Sequence, residues 1–232
     1  MDPTDDPELR RITRFWDARA REDALRYSVP GGTRVDDATF AGAGHAVLDA
    51  LEQGLGWTAE GAGLAVDIGC GAGRVTDAIA DRAEEVAAVD VSPRMIDAAR
   101  ERVAGTLNVD WHVAEAGDLG PVPSGRAGAA LLLGVLPHLP TVKHVAAALD
   151  EVGRILRPGG AVAFDVRSGT PPLVLPGEDD LPVHVTGHPL WRGVVVDLET
   201  VAALAHQSGL VVERIDGSGS ARCLVLARRE QD

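Results

Sequence analysis

Three alternating glycines follow a short apolar run and could bring the backbone close to a ligand. Gly69, Gly71 and Gly73 come directly after the apolar segment 64–68. Because glycine has no Cβ, the chain can turn sharply there and its backbone can touch a bound molecule. A helix that begins at Arg74 would direct its free N–H groups and its positive dipole end at the same place. This pattern predicts a site for a nucleotide-like ligand, although a tight structural turn would have the same sequence.

Two further positions narrow the kind of ligand. A dinucleotide fingerprint requires a small residue three positions after the second glycine, where this chain has Arg74, and no Lys-Ser or Lys-Thr pair follows as in a P-loop. Asp90 ends a second apolar run about 20 residues beyond the glycines, where a carboxylate can accept hydrogen bonds from both hydroxyls of a ribose. An isolated aspartate at a strand end is usually only solvated. Combined with the glycine turn, Asp90 favours a ribose-containing ligand other than NAD or FAD.

The elements that must position these residues alternate along the chain. Short apolar runs bounded by turn residues are typical of buried strands, and we expect such strands at 64–68, 86–89, 109–113, 129–133 and 161–166. Helical patterns of about 10 to 16 residues lie between them, which implies parallel strands joined by right-handed crossovers. The runs 210–215 and 222–227 are separated by a Gly/Ser turn and must pair antiparallel. The predicted fold class is α/β, with a seven-stranded, mostly parallel sheet, an antiparallel C-terminal hairpin and helices on both faces.

Two parts of the chain lie outside this alternation. Residues 1–56 contain two helical stretches and are predicted to form an N-terminal helical cap on a core of residues 57–232. The segment 168–197 holds five prolines and has no period, and long connections of this kind are usually lids or binding loops. We expect the cap and this segment to cover the ligand with the aromatic side chains Phe15, Trp16, Tyr27 and Trp191. An ordinary amphipathic helix docked on the core would account equally well for Phe15 and Trp16.

Composition and charge restrict the partners. The formal net charge is −13, whereas proteins that bind the phosphates of nucleic acids usually carry the opposite sign. No stretch approaches the roughly 20 apolar residues that span a bilayer, and the acidic N-terminus does not resemble a secretory signal. Cys70 and Cys223 have no metal or redox spacing and suggest a reducing compartment. We expect a cytoplasmic protein with a small-molecule substrate and no nucleic-acid or membrane partner, with a homodimer left open.

Three ordered motifs resemble those of the class I S-adenosylmethionine-dependent methyltransferases over residues 64–167. They are Val66-Asp67-Ile68-Gly69-Cys70-Gly71-Ala72-Gly73-Arg74, Ala88-Val89-Asp90-Val91-Ser92-Pro93-Arg94-Met95 and Arg154-Ile155-Leu156-Arg157-Pro158-Gly159-Gly160. The resemblance implies a Rossmann-like fold, the cofactor S-adenosyl-L-methionine and transfer of its methyl group. Nucleic-acid amine methyltransferases carry Asn/Asp-Pro-Pro-aromatic after the fourth strand. This chain lacks that motif at 133–139, which favours the small-molecule type.

The resemblance also implies roles for residues around the glycine turn. Asp67 would help to hold the methionine end of the cofactor, directly or through water. Gly69 and Gly71 would contact the same end through their backbone. Asp90 would bind the ribose hydroxyls. These four residues are predicted to form the half of the cofactor site nearest the first two strands.

Four more positions would bind the adenine end of the cofactor by the same resemblance. Met95 would pack on the adenine face, a role that suits its adaptable side chain. Glu115, in the motif at 112–116, would accept a hydrogen bond from the adenine amino group, and Ala116 would offer its backbone N–H to the ring. The family more often has Asp at the position of Glu115, so Asp118 is an alternative candidate for this role. Leu133, the last residue of the fourth predicted strand, would complete this half of the site.

A histidine beyond the fourth strand is the candidate for catalysis. His138 lies at the expected substrate edge and could act as a base toward a hydroxyl, or it could only pack the loop. His184 and His188, in the proline-rich segment, are alternatives if that segment closes over the substrate. Asp165 is one candidate ligand for a hard cation, but no acid occurs at 134–139, so we expect no metal site.

The expected function is S-adenosylmethionine-dependent methyl transfer to an oxygen or nitrogen atom of a metabolite. A non-catalytic S-adenosylmethionine-binding or assembly protein would keep the same motifs and remains an alternative. A nicotinamide-dependent oxidoreductase on a similar sheet is a third, which Arg74 disfavours. The sequence contains no pattern that identifies the methyl acceptor.

Overall fold

Strands and helices alternate through most of the chain. In the computed structural model, the described residues are 7–29, 32–168, 181, 183–218 and 222–231. Within these ranges the strands are β1 (Leu64–Ile68), β2 (Glu85–Asp90), β3 (Val109–Val113), β4 (Ala127–Leu132), β5 (Leu156–Arg167), β6 (Leu210–Asp216) and β7 (Arg222–Arg229). The helices are α1 (Pro7–Tyr27), α2 (Asp37–Leu55), α3 (Arg74–Ala80), α4 (Pro93–Arg102), α5 (Val142–Ile155), α6 (Val183–Thr186), α7 (Pro189–Arg192) and α8 (Leu198–Gln207). None of these helices is long and apolar enough to cross a bilayer.

The seven strands form one sheet in the order β3-β2-β1-β4-β5-β7-β6. Strands β1 to β5 pair parallel with their neighbours, whereas β7 pairs antiparallel with both β5 and β6. The predicted fold class is therefore confirmed, including the antiparallel hairpin at the end of the chain. Because β1, β2, β3, β4 and β5 run in one direction, the segments that follow them meet at the same edge of the sheet.

Helices cover both faces of the sheet, as the alternation along β2 shows. Ala87 and Val89 pack into the cluster that contains α5 and α8, while Val86 packs into the cluster that contains α2 and α3. Ala88 contacts Ile96 of α4. The strands are buried on both sides and fix the positions of their carboxyl ends.

Helix α1 lies over α4 at the edge of the sheet where the parallel strands end. Ser92 Oγ, at the start of α4, donates to Asp17 Oδ1 at 2.5 Å. The helix is interrupted at Asp23, whose backbone is extended, and Asp23 Oδ1 accepts from Arg26 N at 3.0 Å, which caps the last turn. Leu190 of α7 packs into the same apolar cluster as α1.

The strand boundaries differ from the sequence-based prediction by at most two residues, except at the start of β5. Strand β5 begins at Leu156, because Leu156 already pairs with Ala127 and the Pro-Gly-Gly segment then bulges out before Ala161 rejoins the ladder. Residues 169–180 and 182 of the predicted lid segment lie outside the described residues.

Candidate active site

A cavity of about 340 Å³ opens at the carboxyl ends of β1 to β5. Residues that directly follow these strands line its floor, and side chains of α1 and α7 line its roof. In a parallel α/β sheet this edge is where ligands bind. All the site residues predicted from the sequence line this one cavity: Asp67, Gly69, Gly71, Asp90, Met95, Glu115, Ala116, Leu133 and His138.

The glycine turn takes a backbone conformation that other residues rarely adopt. Gly69, Gly71 and Gly73 have φ values of 75°, 54° and 79°. Gly69 N donates to the Val89 carbonyl at 2.7 Å, and Gly71 N donates to Asp90 Oδ2 at 2.9 Å. The turn after β1 is thereby fastened to the end of β2, and its glycines leave the backbone open toward the cavity.

Asp90 is held by two backbone donors and keeps acceptor capacity for a ligand. Its Oδ1 accepts from Ser92 N at 2.9 Å, and its Oδ2 accepts from Gly71 N. A carboxylate offers about four lone-pair sites, so acceptor capacity remains for groups in the cavity. Burial raises the pKa of Asp90 to about 6. At neutral pH the side chain is mainly an anion that faces the cavity.

Asp67 lies beside Asp90 at the end of β1. Thr76 Oγ1 of α3 donates to Asp67 Oδ2 at 2.6 Å, and the side chain is buried. Burial raises the pKa of Asp67 to about 6 as well, and the nearby charge of Asp90 adds to this shift. Two neighbouring buried carboxylates of this kind favour a cationic ligand.

The end of α1 lies directly over the glycine turn, a contact that the sequence pattern did not indicate. Ser28 Oγ accepts from Ala72 N at 2.8 Å and donates to the Ala24 carbonyl at 2.8 Å. Arg74 Nε donates to the Ser28 carbonyl at 3.0 Å. A Cβ on Gly71 would come within 2.5 Å of Ser28 Oγ. Arg74, the departure from a dinucleotide fingerprint, therefore fastens α1 to the turn.

The loops after β2, β3 and β4 form the adjoining wall. Met95 is buried beneath α1, and its N–H donates to Ser92 Oγ at 3.2 Å. Glu115 and Ala116 follow β3 and line the cavity together with Leu133. Asp118, the rival to Glu115, is exposed and is not among the lining residues.

His138 lies at the opposite end of the cavity, within a group of aromatic rings. Its ring centroid is 5.2 Å from that of Trp16 and 5.0 Å from that of Trp191. His138 Nδ1 lies 2.8 Å from the Trp191 carbonyl, which can only accept, so Nδ1 carries the proton and Nε2 is the acceptor. Burial, followed by the charge of Arg167, lowers the pKa of His138 to about 4 and keeps the ring neutral.

An ion pair lies at the same end of the cavity and was only partly anticipated. Asp165 of β5 is buried, and its Oδ1 accepts from Gly134 N at 2.6 Å. Arg222 Nε of β7 donates to Asp165 Oδ2 at 2.5 Å. The sequence had suggested Asp165 only as a metal ligand. In the described part of the chain, no group of three His, Cys, Asp or Glu side chains could hold a metal ion.

The alternative histidines lie away from the cavity lining. His184 is exposed, and His188 stacks on Phe15 with 4.4 Å between ring centroids. Neither histidine nor Phe15 is a lining residue, whereas Trp16, Tyr27 and Trp191 are. Of the three histidines, the cavity brings only His138 to the other candidate site residues.

Residues 66–164 match a family model described as a methyltransferase domain. The matched range begins in β1 and ends in β5, so it contains the glycine turn, Asp90 and His138. This part of the chain is similar to methyltransferase domains. Arg222 and the whole α1 helix lie outside the range that defines this domain.

A curated relative matches nearly half of the chain. The ubiquinone biosynthesis O-methyltransferase of Xanthomonas oryzae pv. oryzae (strain PXO99A) is 28% identical over 107 residues, which are 46% of this chain and 44% of that protein. The chain thus spans less than half the length of this relative.

Solved structures of similar fold superpose on nearly the whole chain, beyond the range that matches the methyltransferase domain. Magnesium protoporphyrin IX methyltransferase (ChlM) from Synechocystis PCC 6803, with bound SAH, superposes with a TM-score of 0.66 at 16% identity and covers 96% of this chain and 99% of that one. The N-methyltransferase NodS from Bradyrhizobium japonicum WM9, in complex with S-adenosyl-L-homocysteine, gives a TM-score of 0.63 at 20% identity over 94% and 98% of the two chains. At these identities the likeness establishes the fold alone.

Proposed function

We propose that this chain binds S-adenosyl-L-methionine in the cavity and transfers its methyl group to an oxygen or nitrogen atom of a small molecule. The observation that carries the proposal is the bond between Gly71 N and Asp90 at the ends of β1 and β2. It supports the proposal because it holds the Asp90 carboxylate beside a glycine backbone, in the part of the chain that is similar to methyltransferase domains. The family match and the nature of the relatives support the same function.

The residues present fit the cofactor in shape and in charge. The turn must be built from glycine to pack as it does, since a Cβ on Gly69 would collide with Val135 and one on Gly71 with Ser28. Asp67, Asp90 and Glu115 line the cavity together with Arg74. S-Adenosylmethionine carries a positive sulfonium and a positive amino group, which these carboxylates complement.

Each lining residue has a proposed contact with the cofactor. Asp90 accepts hydrogen bonds from the ribose hydroxyls with its remaining lone pairs. Asp67 attracts the amino group at the methionine end. Met95 packs on the adenine face, with Leu133 on its other side. Glu115 accepts from the adenine amino group.

Backbone groups complete the proposed cofactor contacts. Gly69 and Gly71 approach the methionine end directly, because they present no side chain to it. Ala116 offers its N–H to the adenine ring. These contacts depend on the strand ends rather than on particular side chains, and the sheet holds the strand ends in place.

The cofactor supplies a methyl group activated by its positive sulfur, so the protein mainly positions the acceptor and excludes water. His138 Nε2 accepts a hydrogen bond from the acceptor O–H or N–H and orients its nucleophilic atom. A group with a pKa of about 4 binds a proton weakly at neutral pH, so we assign His138 this orienting role ahead of full proton removal.

We also propose that residues 1–56 act as a cap and residues 168–197 as a cover of the acceptor. Ser28 and Asp17 fasten α1 over the glycine turn and over the start of α4. Trp16 and Trp191 form the roof of the cavity. Helix α2 shares a buried core with α3, whereas α1 packs in a separate buried cluster with α7.

Thermal unfolding in the presence of ligands tests the proposal. S-Adenosylhomocysteine at 100 times its dissociation constant should raise the free energy of unfolding by about 2.7 kcal/mol, and NADH at the same concentration should leave it unchanged. The exposed Asp97→Ala variant serves as a control and should respond like the wild type. Stabilisation by NADH but not by S-adenosylhomocysteine would overturn the proposal.

A further inference from the structure

Arg74, the first residue of α3, lines the cavity and has only 7% of its surface exposed. A guanidinium has five N–H donors. Among the residues that the structure describes, Arg74 has one hydrogen-bond partner, the Ser28 carbonyl, which accepts from Nε at 3.0 Å. Neither terminal nitrogen is among the sealed, unpartnered atoms of the described chain, so both reach open space, which beside Arg74 is the cavity.

A guanidinium buried this deeply is unfavourable unless an anionic group pairs with it. Burial lowers the pKa of Arg74, the charge of Asp67 partly opposes that shift, and the charge of Arg222 adds to it. Arginine still stays protonated at neutral pH. Arg74 therefore presents a fixed positive charge and unused N–H donors to whatever occupies the cavity.

The two neighbouring carboxylates are held by other groups. Asp67 Oδ2 accepts from Thr76 Oγ1 at 2.6 Å, and both oxygens of Asp90 accept from backbone N–H groups. These bonds fix the carboxylates without using the terminal nitrogens of Arg74. The anionic partner of Arg74 must then come from a ligand.

Asp67 and Arg74 together match the two charges of an α-amino acid. They lie on either side of the glycine turn, Asp67 near the end of β1 and Arg74 at the start of α3. An α-amino acid carries an ammonium and a carboxylate on one carbon atom, and S-adenosylmethionine ends in such a group. A carboxylate can accept two parallel N–H bonds from a guanidinium, and an ammonium can donate to a carboxylate.

We propose that Arg74 binds the carboxylate of the cofactor's methionine part through its terminal nitrogens, while Asp67 binds the amino group. The inference rests on the proposed function and adds the residue that selects a ligand with an α-amino-acid end. Because Arg74 Nε also donates to the Ser28 carbonyl, the same side chain joins the bound ligand to the end of α1. A nucleoside without the amino-acid part leaves the charge of Arg74 unpaired.

The first test removes the carboxylate from the ligand. S-Adenosyl-3-thiopropylamine is S-adenosylhomocysteine without its carboxylate, and it retains the amino group. In calorimetric titrations of the wild-type chain it should bind about ten- to 150-fold more weakly than S-adenosylhomocysteine, the size of hydrogen bonds between charged groups. Equal affinities for the two ligands would overturn the inference while leaving the proposed function intact. If S-adenosylhomocysteine does not bind at all, the proposed function itself fails.

The second test removes the guanidinium. In Arg74→Met the preference for S-adenosylhomocysteine over S-adenosyl-3-thiopropylamine should disappear. Loss of the bond to Ser28 affects both ligands alike, so the ratio of their affinities isolates the contact with the carboxylate. Arg74→Lys should give an intermediate ratio, because an ammonium keeps the charge but cannot form the two parallel bonds. A ratio as large as that of the wild type in both variants would mean that Arg74 only fastens α1, and the inference would be wrong.

Arg102→Met is the matched control. Arg102 of α4 holds the same turn, with Nε donating to the Ala72 carbonyl and Nη2 to the Gly73 carbonyl, both at 3.1 Å. It is not among the described residues that line the cavity. The variant should keep the wild-type ratio of the two affinities. A ratio that falls as far in Arg102→Met as in Arg74→Met would show that the shape of the turn, and not Arg74, distinguishes the ligands.

Discussion

At the end of the cavity formed by β1 and β2, the ligand-facing groups are backbone amides and buried carboxylates. At the end formed by β4, β5 and β7, they are aromatic rings and an ion pair. The first end is built from one continuous stretch of chain, and Gly71 bonds to Asp90 within it. The second gathers Trp16, Trp191 and Arg222 from distant parts of the sequence. The residues proposed to contact the cofactor are therefore close together in the sequence, whereas those proposed to contact the acceptor are brought together only by tertiary packing.

The two ends also differ in how they affect stability. Burial raises the pKa of Asp67 and Asp90, so their ionised forms are less favourable in the folded chain than in the unfolded one. The aromatic end instead gains stability from packed rings. A cationic ligand would offset the unfavourable charge at the first end, which is a common exchange of stability for function.

The largest expected effect comes from neutralising a carboxylate at the first end. Asp67→Asn should raise the free energy of unfolding of the ligand-free chain at pH 7 by up to about 3 kcal/mol, because the pKa of Asp67 rises from 3.8 to about 6 on folding. The amide oxygen can still accept from Thr76. The same variant should bind S-adenosylmethionine more weakly than the wild type.

The stability difference between Asp67→Asn and the wild type should depend on pH in one direction. The stabilising effect of a raised carboxyl pKa is present below 3.8 and is lost as the pH rises through about 6. The gap in urea-unfolding free energy between Asp67→Asn and wild type should therefore close as the pH falls from 6 to 4. Asp97→Asn, on the exposed side of α4, should show no such gap. A gap that widens toward low pH would refute the account of Asp67.

A smaller effect is expected from adding a side chain to the glycine turn. Gly71→Ala should lower the free energy of unfolding by about 2 kcal/mol, because its φ is 54° and the new Cβ would meet Ser28 Oγ. It should also weaken binding of S-adenosylhomocysteine in a calorimetric titration. The variant tests whether the first end depends on close backbone approach.

Gly61→Ala is the matched control for this variant. Gly61 has a φ of 68° with nothing near its would-be Cβ, so it carries the conformational cost without the collision. It should lose about 1 kcal/mol of stability, with S-adenosylhomocysteine binding unchanged. Equal binding losses in Gly61→Ala and Gly71→Ala would show that general destabilisation, not contact with the ligand, weakens binding.

The smallest effect is expected from breaking the hydrogen bond between Ser28, at the end of α1, and the glycine turn. Ser28→Ala removes the acceptor of Ala72 N and should lower stability by about 1 kcal/mol. It should also speed the dissociation of S-adenosylhomocysteine in stopped-flow measurements. Thr58→Ala removes a similar side-chain acceptor, that of Glu60 N, far from the cavity. An equal change of dissociation rate in both variants would mean that α1 does not retain the ligand.

The first end was predictable because its signals are local. The bounds of β1 and β3 agree with the apolar runs, and the spacing from Gly71 to Asp90 follows from one strand–helix–strand unit. Gly69, Met95 and Glu115 then lie where the resemblance placed them, on the cavity lining. The roles proposed for these residues still await measurement.

The residues at the second end could not be predicted from the local sequence in the same way. Ser28 and Arg222 are ordinary residues in their local sequence, and their importance appears only where α1 and β7 meet the strand ends. The sequence singled out Asp165 only as a candidate metal ligand, and its partner Arg222 could not be predicted. The early start of β5 at Leu156 likewise depends on pairing with β4, which no periodicity reveals.

The central claim is that Asp90 holds the ribose of an S-adenosylmethionine-type ligand, and calorimetric titration with S-adenosylhomocysteine tests it most directly. Asp90→Ala should weaken binding by about 1.5 to 3 kcal/mol, or roughly ten- to 150-fold, the size of hydrogen bonds to a charged group. Asp97→Ala, seven positions along on α4, should bind like the wild type. With both variants folded at the titration temperature, an unchanged dissociation constant for Asp90→Ala would contradict the account.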